Sequence, residues 1–297
     1  MTLIAETYSP QRYHVPADLT IRLTQAEQRD VTGVTTSNNK IFVVYEYVTF
    51  IVVYMSQQPY TRLPNISING LKNPQDIAAG GSCLYVSDLR SAAIWRVEVA
   101  DSKVDQWLSG VGAASVSVTS EEKLVLLVVV DEQGSEEGRN LTWRGEIQIY
   151  SRGAVKETVI KLSPDITAPH CVVMTTRKTF IVSYGYEWHG LNCVCEVDMN
   201  GRMLKAFGST PGDGVGQLNE PWSVSLDDDE RIIVADTRNN RVLLLNKQLM
   251  LPQVFLTWHP ELPVDIEGPQ RLHYESHSGR LLVGFATGHV DIYQLRA

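Results

Sequence analysis

The amino-acid sequence predicts an all-β protein that folds as a six-bladed β-propeller with four antiparallel strands in each blade. Two observations predict this fold. Short runs of Val, Ile, Thr and Tyr alternate with Gly, Asn, Asp, Ser and Pro throughout the 297 residues, which is typical of many short strands joined by tight turns. One segment of this kind recurs along the chain, and the spacing of its copies matches the length of a propeller blade.

The clearest copy of the repeat spans residues 214–247 and supplies most of a blade. A Gly-rich lead-in ends at Pro221, and an acidic turn at 227–230 separates the first two strands. The strands are expected over residues 223–226, 232–235, 242–245 and 252–258.

Five further copies follow the same order of strands and turns. A second clear copy begins at Pro74, weaker copies begin at Pro169 and Pro269, and two degenerate copies lack the proline. In all six, an aliphatic residue stands three places after the proline position: Val34, Ile77, Val116, Val172, Val224 and Leu272. These residues are 43, 39, 56, 52 and 48 positions apart, which fits blades that start near residues 31, 74, 113, 169, 221 and 269.

The ends of the chain predict how the ring closes. The last copy has only three strands before the sequence ends at Ala297, so its outer position is vacant. Residues 19–23 alternate apolar with polar side chains and are expected to fill that position as a fourth strand. Residues 19–297 would then form one propeller, and residues 1–18 an N-terminal extension in which two prolines disfavour regular structure.

The copy at 214–247 resembles the NHL repeat. The resemblance lies in the Gly-rich lead-in, the proline before the first strand, Val-Ala-Asp at 234–236 and Asn-Asn-Arg at 239–241. The chain is therefore similar to NHL-repeat propellers, such as those at the C-terminus of tripartite-motif-like proteins. This resemblance implies a module that binds protein targets or single-stranded RNA. Some six-bladed relatives are instead metal-dependent lyases or lactonases.

The candidate binding residues lie on one end of the predicted ring. The start of each inner strand and the turn between strands two and three return to the same end, called here the top face. The candidates there are Gln75, Asp76, Arg90, His170, Trp188, Trp222, Arg238 and Arg271. Aromatic side chains, amides and arginines are typical of protein or peptide interfaces.

Some of these residues have competing interpretations. Trp222 is the most suggestive ligand contact, but it could instead pack between neighbouring blades. Arg238 is expected to point to solvent, whereas Asp236 is expected to hold its own turn. Residues 131–145 form the longest expected strand 2–3 loop, which should project from the top face.

Known catalytic motifs are missing from the sequence. It has no phosphate-binding loop, no dinucleotide fingerprint and no nucleophile elbow. Cys193 and Cys195 supply half a zinc site at best. No catalytic residue, metal or cofactor is therefore expected. A metal-dependent lyase or lactonase-like enzyme stays as an alternative, with scattered candidate ligands at Asp76, Asp88, His170, Glu187 and His189.

Composition restricts the partner and the compartment. The formal net charge of -8 disfavours a phosphate backbone as the default partner. An RNA-binding alternative would use Arg90, Trp222, Arg238 and Arg271. No secretory signal is visible, the longest apolar run is residues 124–130, and the four cysteines show no disulfide spacing. We therefore expect a cytoplasmic, monomeric, non-enzymatic scaffold that binds protein or peptide partners through its top face, without membrane association.

Overall fold

A computed structural model of the chain describes residues 21–23, 29–131, 143–186, 189–257 and 268–295. These residues form six four-stranded antiparallel sheets, which confirms the predicted fold class. No helix in the described ranges is long and apolar enough to span a membrane.

The first three blades follow one another along the chain, each running from its inner strand to its outer strand. Blade 1 consists of β2 (Val31–Ser37), β3 (Lys40–Tyr45), β4 (Phe50–Met55) and β5 (Arg62–Ser67). Blade 2 consists of β6 (Pro74–Gly80), β7 (Cys83–Asp88), β8 (Ala93–Glu98) and β9 (Val104–Ser109). Blade 3 consists of β10 (Ala113–Val118), β11 (Leu124–Asp131), β12 (Trp143–Tyr150) and β13 (Lys156–Lys161).

The remaining blades keep this order until the last. Blade 4 consists of β14 (Pro169–Met174), β15 (Phe180–Tyr186), β16 (His189–Val197) and β17 (Met203–Ser209). Blade 5 consists of β18 (Pro221–Leu226), β19 (Ile232–Asp236), β20 (Arg241–Leu245) and β21 (Gln253–Thr257), with a 3-10 turn at Thr237–Asn239. Blade 6 consists of β22 (Pro269–Glu275), β23 (Arg280–Phe285), β24 (Val290–Gln294) and β1 (Ile21–Leu23).

Strand β1 closes the ring as the sequence predicts. It pairs antiparallel with β24, with Ile21 opposite Ile292 and Leu23 opposite Val290. The first described strand therefore completes the last blade, so both ends of the propeller are held in one sheet. The expected extension at residues 1–18 lies outside the described residues.

The hydrophobic core lies between blades. In the described ranges it divides into six clusters, each shared by two successive blades. Alternate residues of one strand serve different clusters: Leu84 and Val86 of β7 pack toward blade 1, whereas Cys83 and Tyr85 pack toward blade 3. Because both faces of these strands are buried, their sequences are continuous apolar runs, such as residues 124–130.

Candidate functional site

A β-bulge repeats at the top of all six inner strands. The pairing register shifts between the first and third residue of each of these strands, which leaves the second residue out of the ladder. All six lie at the top end of an inner strand, which we call the mouth of the ring; two of the side chains are buried there and four are partly exposed. The six residues are Thr32, Gln75, Ala114, His170, Trp222 and Gln270.

Just below the mouth, the third residues of the inner strands contact the next blade around the ring. Val116 donates its N–H to the Asp76 carboxylate (3.0 Å), and Leu272 donates its N–H to Ser223 Oγ (3.2 Å). We call this set the inter-blade ring, and its members are Gly33, Asp76, Ser115, Cys171, Ser223 and Arg271. Except for Gly33, each member makes a side-chain contact with the inner strand of the next blade.

Arg271 is the member of the inter-blade ring that contacts two other blades. Its side chain is buried, and its guanidinium donates to the carbonyls of Thr32 (2.5 Å), Gln75 (3.0 Å) and Gln270 (3.2 Å). It thereby links blade 6 to blades 1 and 2. Gly33 lies on the inner strand between them, where a Cβ would come within 2.7 Å of a blade 2 backbone nitrogen.

Asp76 places a carboxylate in the same layer. Burial raises its pKa, whereas the Arg271 guanidinium and the backbone N–H groups of Ile77 and Val116 oppose that rise. Asp76 is still partly exposed to solvent, since the inner strands line the central channel. Its ionised form therefore depends on Arg271.

An aromatic stack occupies blades 4 and 5 at the mouth. The Trp222 ring lies parallel to the His170 ring, with centroids 5.0 Å apart and planes 7° apart. The Arg271 Cζ atom lies 5.8 Å from the Trp222 centroid, within the range of a cation–π contact. His170 Nε2 lies 2.8 Å from the Gly185 carbonyl, and burial lowers the pKa of His170 to about 4. Near neutral pH, His170 is therefore an uncharged N–H donor to that carbonyl, and Trp222 rests on a neutral ring.

Glu220 fixes the stack from the side. Trp222 Nε1 donates to one of its carboxylate oxygens (3.3 Å), and Arg238 Nε lies 2.6 Å from the other. The Glu220 N–H donates to Asn192 Oδ1 (2.7 Å), so the buried glutamate is itself held in place. Arg238, expected to point to solvent, is therefore engaged in an ion pair. Sequence reasoning missed Glu220, although an acidic residue directly before the Pro221 of the strongest repeat was a usable signal.

Asp236 holds its own turn, as the sequence predicts. Its buried carboxylate accepts the Asn219 N–H (2.7 Å), Asn239 Nδ2 (2.8 Å) and Arg241 Nε (2.6 Å). Asn240 adopts a left-handed conformation with φ 48°. The Asp236 carboxylate is therefore fully engaged within the turn of blade 5 and is not available to a ligand.

The remaining candidates are separated from the stack or lie outside the described residues. Gln75 is half-buried at the mouth, and its carbonyl accepts from Arg271. Arg90 is exposed on the rim of blade 2. Trp188 and residues 132–142 of the expected long loop lie outside the described ranges. The structure thus brings together His170, Trp222 and Arg271, joins Arg238 to them through Glu220, and leaves Arg90 apart.

The described channel residues do not fit a catalytic divalent cation. No group of three or more His, Cys, Asp or Glu in the described ranges is arranged to hold a metal ion. Both Asp76 oxygens accept backbone N–H groups, and a guanidinium lies in the same layer. A hard cation such as Ca²⁺ instead requires several oxygen ligands, commonly carboxylates.

Comparison with known proteins supports the fold and the repeat. The NHL repeat family matches residues 218–243, which run from the lead-in of blade 5 through β18 and β19 into β20. No curated protein sequence matches the chain significantly.

Three solved structures share the fold at low sequence identity. One is a catalytically inactive variant of virginiamycin B lyase from Staphylococcus aureus with quinupristin, with 9% identity and a TM-score of 0.63 over 93% of this chain and 99% of that one. A second, provisionally assigned as a gluconolactonase, has 10% identity and a TM-score of 0.65 over 97% and 99%. A third, from Bacteroides caccae and of unknown function, has 12% identity and a TM-score of 0.58 over 83% and 82%. At these identities the likeness concerns the fold alone: the chain is a six-bladed β-propeller in which residues 218–243 match the NHL repeat.

Proposed function

We propose that this propeller is a non-enzymatic binding platform that holds a peptide segment of a protein partner at the top mouth. The observation that carries the proposal is the Trp222–His170 stack, which Glu220 fixes on one side. A half-buried, pre-positioned tryptophan offers a large contact area at little further entropic cost, and such residues often dominate binding energies. The proposal agrees with the recruiting role of NHL propellers in tripartite-motif-like proteins.

The chemistry of the mouth suits a peptide. Trp222 and His170 form an uncharged aromatic surface on blades 4 and 5, and Gln75 supplies an amide on blade 2. A peptide presents both apolar side chains and backbone groups that pair with an amide. Arg271 and Arg238 already have internal partners, so these two arginines offer little charge to the phosphates of RNA.

A peptide-display selection tests the proposal. Peptides would be selected on the wild-type protein alone, and the Kd of each for the wild type and for Trp222→Ala would then be measured by calorimetry. Loss of a central tryptophan contact should weaken binding about 30-fold. Leu204→Ala, an exposed change on outer strand β17, serves as the matched control and should leave Kd unchanged. Selected peptides that bind Trp222→Ala as tightly as the wild type would show that the mouth is not the site.

The enzyme alternative requires its own measurement. The similar structures include virginiamycin B lyase with quinupristin and a provisional gluconolactonase, so both ligand types are appropriate probes. The purified protein would be incubated with quinupristin or gluconolactone, with Mg²⁺ or Ca²⁺ added, and ring opening followed by mass spectrometry. Turnover above that of heat-denatured protein would overturn the non-enzymatic proposal.

A further inference from the structure

Blades 2 and 5 carry the two clearest repeats, and their top corners share one construction. An aspartate ends the second strand in each: Asp88 in β7 and Asp236 in β19. Each carboxylate binds the backbone of its own lead-in, with the Lys72 N–H at 2.8 Å from Asp88 and the Asn219 N–H at 2.7 Å from Asp236. The two corners can therefore be compared position by position.

The charges at equivalent positions differ. In blade 5, Arg238 is paired with Glu220, the residue directly before the inner strand. In blade 2 the residue at the position of Glu220 is Asn73, and Arg90 stands at the position of Arg238. Among the described residues, no carboxylate lies within ion-pair distance of the exposed Arg90 side chain. The corner of blade 2 thus exposes a cation that blade 5 neutralises.

A second cation and two apolar side chains adjoin Arg90. Lys72 is exposed at the position held by Asn219 in blade 5. Leu89 is 46% exposed, whereas its equivalent Thr237 is 1% exposed. Tyr47 of blade 1 is 50% exposed, and its N–H lies 3.4 Å from Asn73 Oδ1, which places it beside the same lead-in.

The backbone of Tyr47 adds a further observation. Its φ of 59° is left-handed, a conformation that is unfavourable for a residue with a Cβ. The side chain is half-exposed, so burial of the ring does not fully offset this unfavourable backbone conformation.

We propose that this blade 2 corner, formed by Tyr47, Lys72, Leu89 and Arg90, docks an acidic segment of a protein partner. Carboxylates of the segment would pair with Lys72 and Arg90, and an apolar side chain would contact Tyr47 and Leu89. The inference rests on the proposed binding function and adds a second contact on the same face. Charge complementarity supports it, because Lys72 and Arg90 are both exposed at this corner and no carboxylate of the described residues pairs with the Arg90 side chain.

A protein segment fits this corner better than RNA. Two cations would neutralise only about two phosphates, which gives weak binding at physiological salt. An exposed leucine contributes little to a nucleic-acid contact but adds apolar area to a protein interface.

Fluorescence polarisation with a defined probe tests the corner. The probe is a short labelled peptide in which Asp and Glu alternate with Leu and Phe, and its control carries Lys and Arg in place of the acids. The acidic peptide should bind the full chain, with Kd rising severalfold between about 50 mM and about 200 mM salt. The basic peptide should not bind.

Three variants locate the contact. Asn73→Glu gives blade 2 the carboxylate that neutralises Arg238 in blade 5, so it should weaken binding of the acidic peptide about tenfold. Arg90→Glu should weaken it at least as much. Lys103→Glu makes the same change of charge at an exposed turn of blade 2 and should leave Kd within about twofold. Thermal unfolding of each variant verifies that it remains folded.

Separate outcomes decide the two proposals. Trp222→Ala should leave acidic-peptide binding unchanged, because Trp222 lies outside the blade 2 corner. Equal weakening by Lys103→Glu, or no binding of the acidic peptide to the wild type, would overturn the corner proposal. So would binding of single-stranded RNA that Asn73→Glu abolishes while the acidic peptide fails to bind.

Discussion

Arg271→Met removes the tie that joins blade 6 to blades 1 and 2. The guanidinium makes three hydrogen bonds to backbone carbonyls and lies near the Trp222 ring. Hydrogen bonds from a charged donor contribute about 1.5–3 kcal/mol each, although water in the channel can replace part of that stabilisation. We therefore expect a loss of about 3–5 kcal/mol in the free energy of unfolding at neutral pH, the usual cost of breaking a buried charge interaction.

The loss should depend on Asp76 and on pH. Without the guanidinium, the pKa of Asp76 should rise further, because burial already raises it and Arg271 opposes that rise. A carboxyl whose folded-state pKa is raised contributes stability at low pH, and this contribution is lost as the pH rises through the folded-state pKa. The destabilisation by Arg271→Met should therefore be smaller at about pH 5 than at about pH 7.5.

Urea unfolding of a double-mutant cycle measures this coupling. Asp76→Asn should destabilise the wild type, but should recover about 1–3 kcal/mol in the Arg271→Met background, because it removes an uncompensated carboxylate. A coupling energy of zero at both pH values would refute the electrostatic link between the two residues. Unchanged stability of Arg271→Met alone would refute the inter-blade tie.

Three further predictions concern the ring. Deleting residues 1–25 removes β1 and should unfold the whole propeller, so an unchanged melting temperature would contradict the closure. Gly33→Ala should lower the melting temperature, because its Cβ would lie 2.7 Å from the Ile77 nitrogen; a wild-type melting temperature would mean that the strands separate easily there. Burial lowers the pKa of His170 and of His273 to about 4, so stability should fall as the pH drops from about 6.5 to about 4. Each His→Gln variant should remove part of that slope in urea titrations, by at most about 3 kcal/mol, and an unchanged slope would show that the histidine does not contribute.

The sequence predicted where each inner strand begins, because that depends on a local pattern of residues. The proline before an inner strand and the aliphatic residue three places later mark where each blade turns inward, and the bulge residues follow from that spacing. The same spacing placed His170 and Trp222 at the mouth. Their contact could not be predicted, because two residues 52 positions apart meet only after two blades have packed face to face.

The residues that hold the mouth depended on tertiary structure for the same reason. Arg271 reaches Thr32 and Gln75, which are 239 and 196 positions away in sequence, only because the ring closes. Arg238 and Arg90 occupy equivalent positions in their repeats, yet one is paired and the other exposed, because the residue before the inner strand is Glu220 in blade 5 and Asn73 in blade 2.

By itself the sequence determined the number of blades, the order of strands and the closing strand. Strand periodicity, turn residues and repeat spacing are local properties that any copy of the motif expresses. Only the tertiary structure decided which side chains meet around the channel, which cations are neutralised and which stay exposed. Those contacts join different blades, and their geometry exists only once six twisted sheets have packed into a closed circle.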